Sequence, residues 1–182
     1  MTTTDAKTTL TGERADLLQT LATHRFFLRN TARDLTDEQA GLSPTVSSLC
    51  IGGLIKHVAE GEGHWVNFIL EGPSAMASGG KDWADWDEAD YAAYNDKFNM
   101  QPGETLEGVL AEYDEVARRT EEIVAALPDL DASQPLPEAP WFEPGAHWSA
   151  RRSLLHIIAE TAQHAGHADI IREAIDGAKT MG

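Results

Sequence analysis

The chain has 182 residues, 42% of them hydrophobic, and a net charge of -16 from 30 acidic against 14 basic residues. That size and composition fit one ordinary globular domain, and so acidic a surface repels a phosphate backbone, which excludes nucleic acid as an expected partner. The apolar runs are too short to cross a bilayer and the N-terminus lacks the basic start and apolar stretch of a secretory leader, so no membrane association and a cytoplasmic setting are expected.

Cys50 is the single cysteine, which leaves no partner for an internal disulfide and excludes a cysteine-rich metal site. Thiol chemistry beyond Cys50 would need a small-molecule thiol. Residues 1–10 read as a polar, mobile start, 11–177 as one domain and 178–182 as a tail.

Thr11 is placed to cap a first helix, with Leu17, Leu18, Leu21, Phe27, Leu28 and Leu35 recurring at three- and four-residue steps and an end near Asp34. The tetrad Thr36 to Gln39 reads as a capping box, and the proline of Leu42-Ser43-Pro44 interrupts the chain after it. A second helix is expected from Ser47 or Ser48 to Glu71, through Leu54, Ile55, Val58, Trp65 and Phe68. From Gly72 to Gly103 the chain makes a long excursion rich in Gly, Asp and Trp, with a short helix over Glu88 to Phe98; loops of that length are usually functional. Thr105 caps a third helix that stops before Pro128, and a proline-rich loop runs on to Trp148. Ser149 caps the fourth helix, ending at Asp176-Gly177 with Gly177 left-handed. No segment shows period-two alternation. The expected fold is all-α, a four-helix bundle with two long inter-helix loops, the kind of architecture in which facing helices build metal sites.

The fourth helix carries the chemistry. His156, Glu160, His164 and His167 fall within about 80° of one another at about 100° per residue, on a helix apolar almost all round. Buried imidazoles and carboxylates must be paired, hydrogen-bonded or bound to a cation. Glu160 and His164 stand at i and i+4, close enough to chelate one zinc or nickel ion. A third ligand must come from another helix, and His57, in the apolar part of the second, is the candidate. A lone core histidine is ordinarily just hydrogen-bonded; the inference rests on the whole set, since each buried polar group needs a partner. Three protein ligands would leave a position for water or substrate, the mark of a catalytic site.

His156 and His167 each lie about one turn from the ligand pair and fit a hydrogen-bonding support, a proton carrier or an alternative ligand. His64 lies on much the same face as His57. Trp83, Trp86, Trp141 and Trp148 sit in the two loops, where aromatics can roof a pocket or anchor a loop. Arg151 and Arg152 open the fourth helix against its dipole, which suggests an anionic ligand.

The segment LLHIIAETAQHAGHADIIREAIDG (154–177) resembles the closing helix of actinobacterial members of the DinB superfamily, the DinB/YfiT-like metalloenzymes, and LIKHVAEGEGHW (54–65) resembles their second helix. The resemblance covers nearly the whole chain and is least in the loops. It implies a four-helix bundle with a divalent metal held by His57, Glu160 and His164, a His-Glu-His set similar to that of the mycothiol-dependent maleylpyruvate isomerases. It further implies a zinc- or nickel-dependent S-transferase that activates a mycothiol-like thiol as a metal-bound thiolate for attack on an electrophilic small molecule, a detoxification chemistry. His167 and His156 are then the expected proton carriers, and Arg152, His64 and Trp141 the expected cosubstrate contacts. The additional C-terminal domain of the isomerases has no counterpart here, so isomerisation is the weaker expectation. A metal-bound hydroxide acting as a hydrolase, or a non-enzymatic metal- or ligand-binding bundle, are the other readings, and a symmetric homodimer suits a bundle of this size.

Overall fold

A computed structural model describes residues 10–76 and 86–180; the N-terminal start and Trp83 lie outside the described residues. In chain order the elements are helices α1 (Glu13–Thr31), α2 (Asp37–Ala40) and α3 (Ile51–Glu71), a 3-10 turn (Gly72–Met76), α4 (Glu88–Asp96), α5 (Leu106–Ala126), strands β1 (Ser133–Pro135) and β2 (His147–Ser149), and α6 (Ala150–Asp176). The long helices pack side by side, α6 against α1 and α3, and α3 against α5. No described helix is long and apolar enough to cross a membrane.

Several boundaries are set by local side-chain chemistry. Thr36 and Gln39 form a reciprocal capping box at α2, Thr105 accepts from the Gly108 N–H at α5, and Ser149 accepts from the Arg152 N–H at α6. Each such cap stabilises its helix by about 1 kcal/mol. Gly177 ends α6 at φ 79, where a side chain would be strained. Two starts differ from expectation. Gly12 rather than Thr11 precedes α1, without a side-chain cap. α3 begins at Ile51 because the serines before it engage their own loop, Ser43 donating to the Ser48 carbonyl and Ser47 accepting from the Leu49 N–H. Cys50 takes the capping position, its Sγ accepting from the Gly53 N–H at 3.4 Å.

The all-α expectation needs one correction: the protein is mostly helical with a small two-stranded sheet. β1 and β2 pair antiparallel with Ser133 opposite Ser149, Gln134 opposite Trp148 and Pro135 opposite His147. Strands of three residues are too short to show alternation, and Pro135 lacks an N–H for the ladder.

The core is divided. One apolar cluster gathers Leu28, Leu54, Ile55, Val58, Tyr113, Ala165 and Ile171; the other gathers Leu21, Trp65, Phe68, Val124, Leu154 and Ile157. Between them in sequence, each long helix contributes one buried polar residue: Arg25 from α1, Glu62 from α3, Thr120 from α5 and Thr161 from α6. Arg25 donates to both oxygens of Glu62, through Nε at 3.0 Å and through its terminal nitrogen, and the Thr120 hydroxyl donates to Glu62 at 2.5 Å. A buried carboxylate is tolerable only when its lone pairs are met in this way.

Candidate metal centre

His57 sits nearly two turns inside α3, on a stretch whose start is unusually thin. A Cβ at Gly53 would run into the Phe98 carbonyl, and one at Gly52 into the Met100 side chain. The missing side chains let the chain after α4 lie directly on α3, where Lys56 fastens it by donating to the Asn99 carbonyl at 3.1 Å and to Glu104 at 2.6 Å. That seating brings the Phe98 ring over His57, with centroids 4.3 Å apart and an interplanar angle of 30°.

The other side of His57 meets α6. Its ring stands edge-on to His164, with centroids 4.9 Å apart. One ligand-type atom from each of His57, Glu160 and His164 falls within 4.8 Å of the others. His164 Nε2 is 3.5 Å from Glu160 Oε2, while His164 Nδ1 is 3.4 Å from Nδ1 of His167. The two nitrogens of His164 therefore face different partners, a proton-sharing ring on one side and a carboxylate on the other.

Burial sets the charge state. It pulls His57 down to about 4, helped by His164 and opposed by Glu160. Burial likewise lowers His164, against Glu160. Both rings are neutral at pH 7 and offer lone pairs. Ligand atoms around a tetrahedral zinc stand about 3.4 Å apart, given bonds of about 2.0–2.1 Å. The Glu160–His164 separation already matches, and all three ligand-type atoms lie within 4.8 Å of one another, so this donor set fits a zinc- or nickel-like ion.

A cavity of about 90 Å³ surrounds these atoms, lined also by Glu62, Trp65, His156 and Thr161. A cleft of about 550 Å³ adjoins it, walled by Trp65, Met76, Tyr94, Pro137, Trp141 and Phe142, with Glu60, His64 and Lys97 among its polar groups. A larger groove, about 910 Å³ between α1 and the start of α5, contains none of the three ligand-type residues.

The remaining candidates spread around this core. His156 lines the cavity, edge-on to Trp65 and Trp148, and burial lowers its pKa. His64 is exposed and faces the cleft, as does Trp141, which is 58% exposed. Trp148 stacks on Trp65 at 4.7 Å, and Arg152 lies over the Trp148 ring at 4.0 Å. Arg151 does not stand ready for an anion: it pairs with Glu13 and Asp131 and ties α1 to the loop before α6. Trp86 packs on Tyr91 and Tyr94 beside α4.

Glu62, Arg25 and Phe98 were not singled out by their residue types. For the ion pair a signal existed: Arg25 continues the four-residue step of Leu17 and Leu21, and Glu62 lies four residues after Val58 in an apolar helix. A charge inside an apolar stripe demands a partner. Phe98 gave no such signal, since its role depends on the chain folding back onto Gly53.

In comparison with known proteins, a crystal structure described as the conserved protein of a locus from Enterococcus faecalis matches with a TM-score of 0.66 at 13% identity, over 93% of this chain and 100% of that one. At that identity the likeness speaks to fold alone. No curated protein matches the sequence. The model of the mycothiol-S-transferase family, a DinB-like group, matches residues 16–177. A match over nearly the entire length establishes that this chain belongs to the mycothiol-S-transferase family.

Proposed function

We propose that this protein is a cytoplasmic, metal-dependent S-transferase that joins a mycothiol-like thiol to an electrophilic small molecule, on a DinB-like four-helix bundle formed by α1, α3, α5 and α6. His57, Glu160 and His164 are the ligands of the ion, zinc in the first instance and nickel as the alternative. The observation that carries this reading is the convergence of their ligand-type atoms within 4.8 Å from two helices, in a chain of this family.

A divalent ion bound by His57, Glu160 and His164 would supply Lewis acidity, the chemistry that lets a thiol ionise at neutral pH. The chain does the rest. Neutral His57 and His164 keep the donor set ready, and His167 orients His164 through the contact between their Nδ1 atoms. His156, on the cavity wall, is placed to take the thiol proton. The sulfur then forms a bond to the electrophilic carbon, whose leaving group departs with its bonding pair. The apolar cleft supports this division of labour, because an electrophile resting on Trp65, Met76 and Phe142 would lie next to the ligand cavity. Trp141 and His64 border that cleft, and Arg152 acts through the Trp148 stack.

Elemental analysis of untagged protein, with mass spectrometry of products formed with and without mycothiol, tests the proposal. About one zinc or nickel per chain, a mycothiol adduct, and joint loss of metal and adduct in His164→Ala are expected. Retention of both by that variant would remove the assignment; product formation without thiol incorporation would point to hydrolysis instead.

A further inference from the structure

α3 carries glycines at 52, 53, 61 and 63, although glycine inside a helix is less stable than alanine. Gly52 and Gly53 are explained by the chain seated on them. Gly61 is not. A Cβ there would meet no atom within 4 Å among the described residues, and Gly61 is not among the glycines with positive φ. Neither packing nor backbone geometry calls for a missing side chain at this position.

Its location does. Gly61 is four residues after His57 and four before Trp65, so all three share one face of α3. Among the described residues, these three alone line both the cavity of about 90 Å³ and the cleft of about 550 Å³. The boundary between the two spaces is thus a pair of large rings with a gap between them, and the gap is Gly61.

We propose that Gly61 is a specificity-determining residue: its absent side chain is the doorway through which a substrate whose bulk lies in the apolar cleft extends a slender reactive arm to the ligand cavity. This rests on the preceding reading that the cavity holds the metal and the cleft a substrate. The substrate class this implies is an apolar body, resting on the cleft wall, with the reacting atom at its end.

The test uses Gly61→Ala and Gly61→Leu in the full chain. Because a Cβ at Gly61 meets no described atom within 4 Å, both variants are expected to fold, Gly61→Ala with a melting temperature a few degrees higher. Cobalt(II) replaces the resident ion, and its visible spectrum reports thiol access independently of turnover. Wild type and Gly61→Leu are expected to bind cobalt within about twofold of each other and to respond alike to 2-mercaptoethanol. Thiophenol, a bulkier probe, should bind Gly61→Leu at least about tenfold more weakly than wild type, with Gly61→Ala between. Equal response of Gly61→Leu to both thiols would overturn the doorway, and so would loss of cobalt itself, which would make Gly61 a support of the ligands. Absence of mycothiol adducts in the wild type, with the thiophenol effect intact, would sink the transferase reading and leave the doorway standing.

Discussion

His164 and His167 face each other through their Nδ1 atoms, 3.4 Å apart on successive turns of α6. Only one of the two nitrogens can carry the proton they share, and when it sits on His164 Nδ1 the Nε2 lone pair is left free toward Glu160. Removing such an orienting partner typically weakens metal binding by about 10- to 100-fold. His167→Ala is therefore expected to lose zinc affinity on that scale while its melting temperature hardly moves. Competition against a chelating dye measures it; unchanged affinity would reduce His167 to a bystander.

The lowered imidazoles give the metal-free protein a defined pH response. His57 falls from 6.5 to about 4, first through burial, then through His164, with Lys97 adding to the fall and Glu160 and Glu60 opposing it. His164 and His156 shift the same way. A depressed histidine is held neutral in the folded state while the unfolded chain takes up the proton. Its contribution is therefore fully present above about 6.5 and is lost as pH falls toward about 4. Thermal melts of metal-free protein should show a declining melting temperature across that window. His57→Phe, which keeps a ring for Phe98 to pack against, should show a shallower decline; superimposable curves would disprove the contribution of His57.

The Arg25–Glu62 pair makes a different kind of prediction. Its carboxylate is fully buried and its guanidinium nearly so, and Glu62 also lines the cavity of the candidate metal centre. Breaking a buried pair by removing one member costs about 3–5 kcal/mol, whereas replacing both by apolar groups is often neutral. Arg25→Met alone should lower the urea midpoint steeply, and Arg25→Met with Glu62→Leu should recover most of it. A double variant no better than the single would mean that Thr120, the third member, holds the layer together.

What could be read from the sequence divides by the range of the interactions involved. The helices, the caps at Thr36, Thr105 and Ser149, and the Glu160–His164 step are set by residues within one or two turns, so periodicity and residue type expose them. The pairing of Arg25 with Glu62 spans 37 residues, and the seat of Phe98 on Gly53 needs α4 to fold back over α3. Arg151 shows the opposite failure: an apparently unfavourable arginine at a helix start is satisfied by Glu13, 138 residues away. The local pattern recorded the charge without recording its partner.

That seat can be tested by the smallest possible substitution. Gly53→Ala adds one methyl group where the Phe98 carbonyl lies against α3, and backbone there cannot step aside as a flexible side chain would. Alanine favours the helix by about 1 kcal/mol, yet forced overpacking typically costs about 1–3 kcal/mol. The clash should win, and the chain relieves it by lifting residues 97–101 off α3. Lifting withdraws Phe98 from His57, with which it now stacks at 4.3 Å, and opens that ring to water. Burial is the first cause of the low His57 pKa, so exposure should carry it back toward 6.5. Gly53→Ala is thus expected to be less stable and to show a His57 titration, followed by the imidazole proton resonance, displaced upward from about 4. Phe98→Ala should reproduce the displacement without the clash. A His57 titration unmoved in both variants would show that α6, and not the chain after α4, is what shields this imidazole.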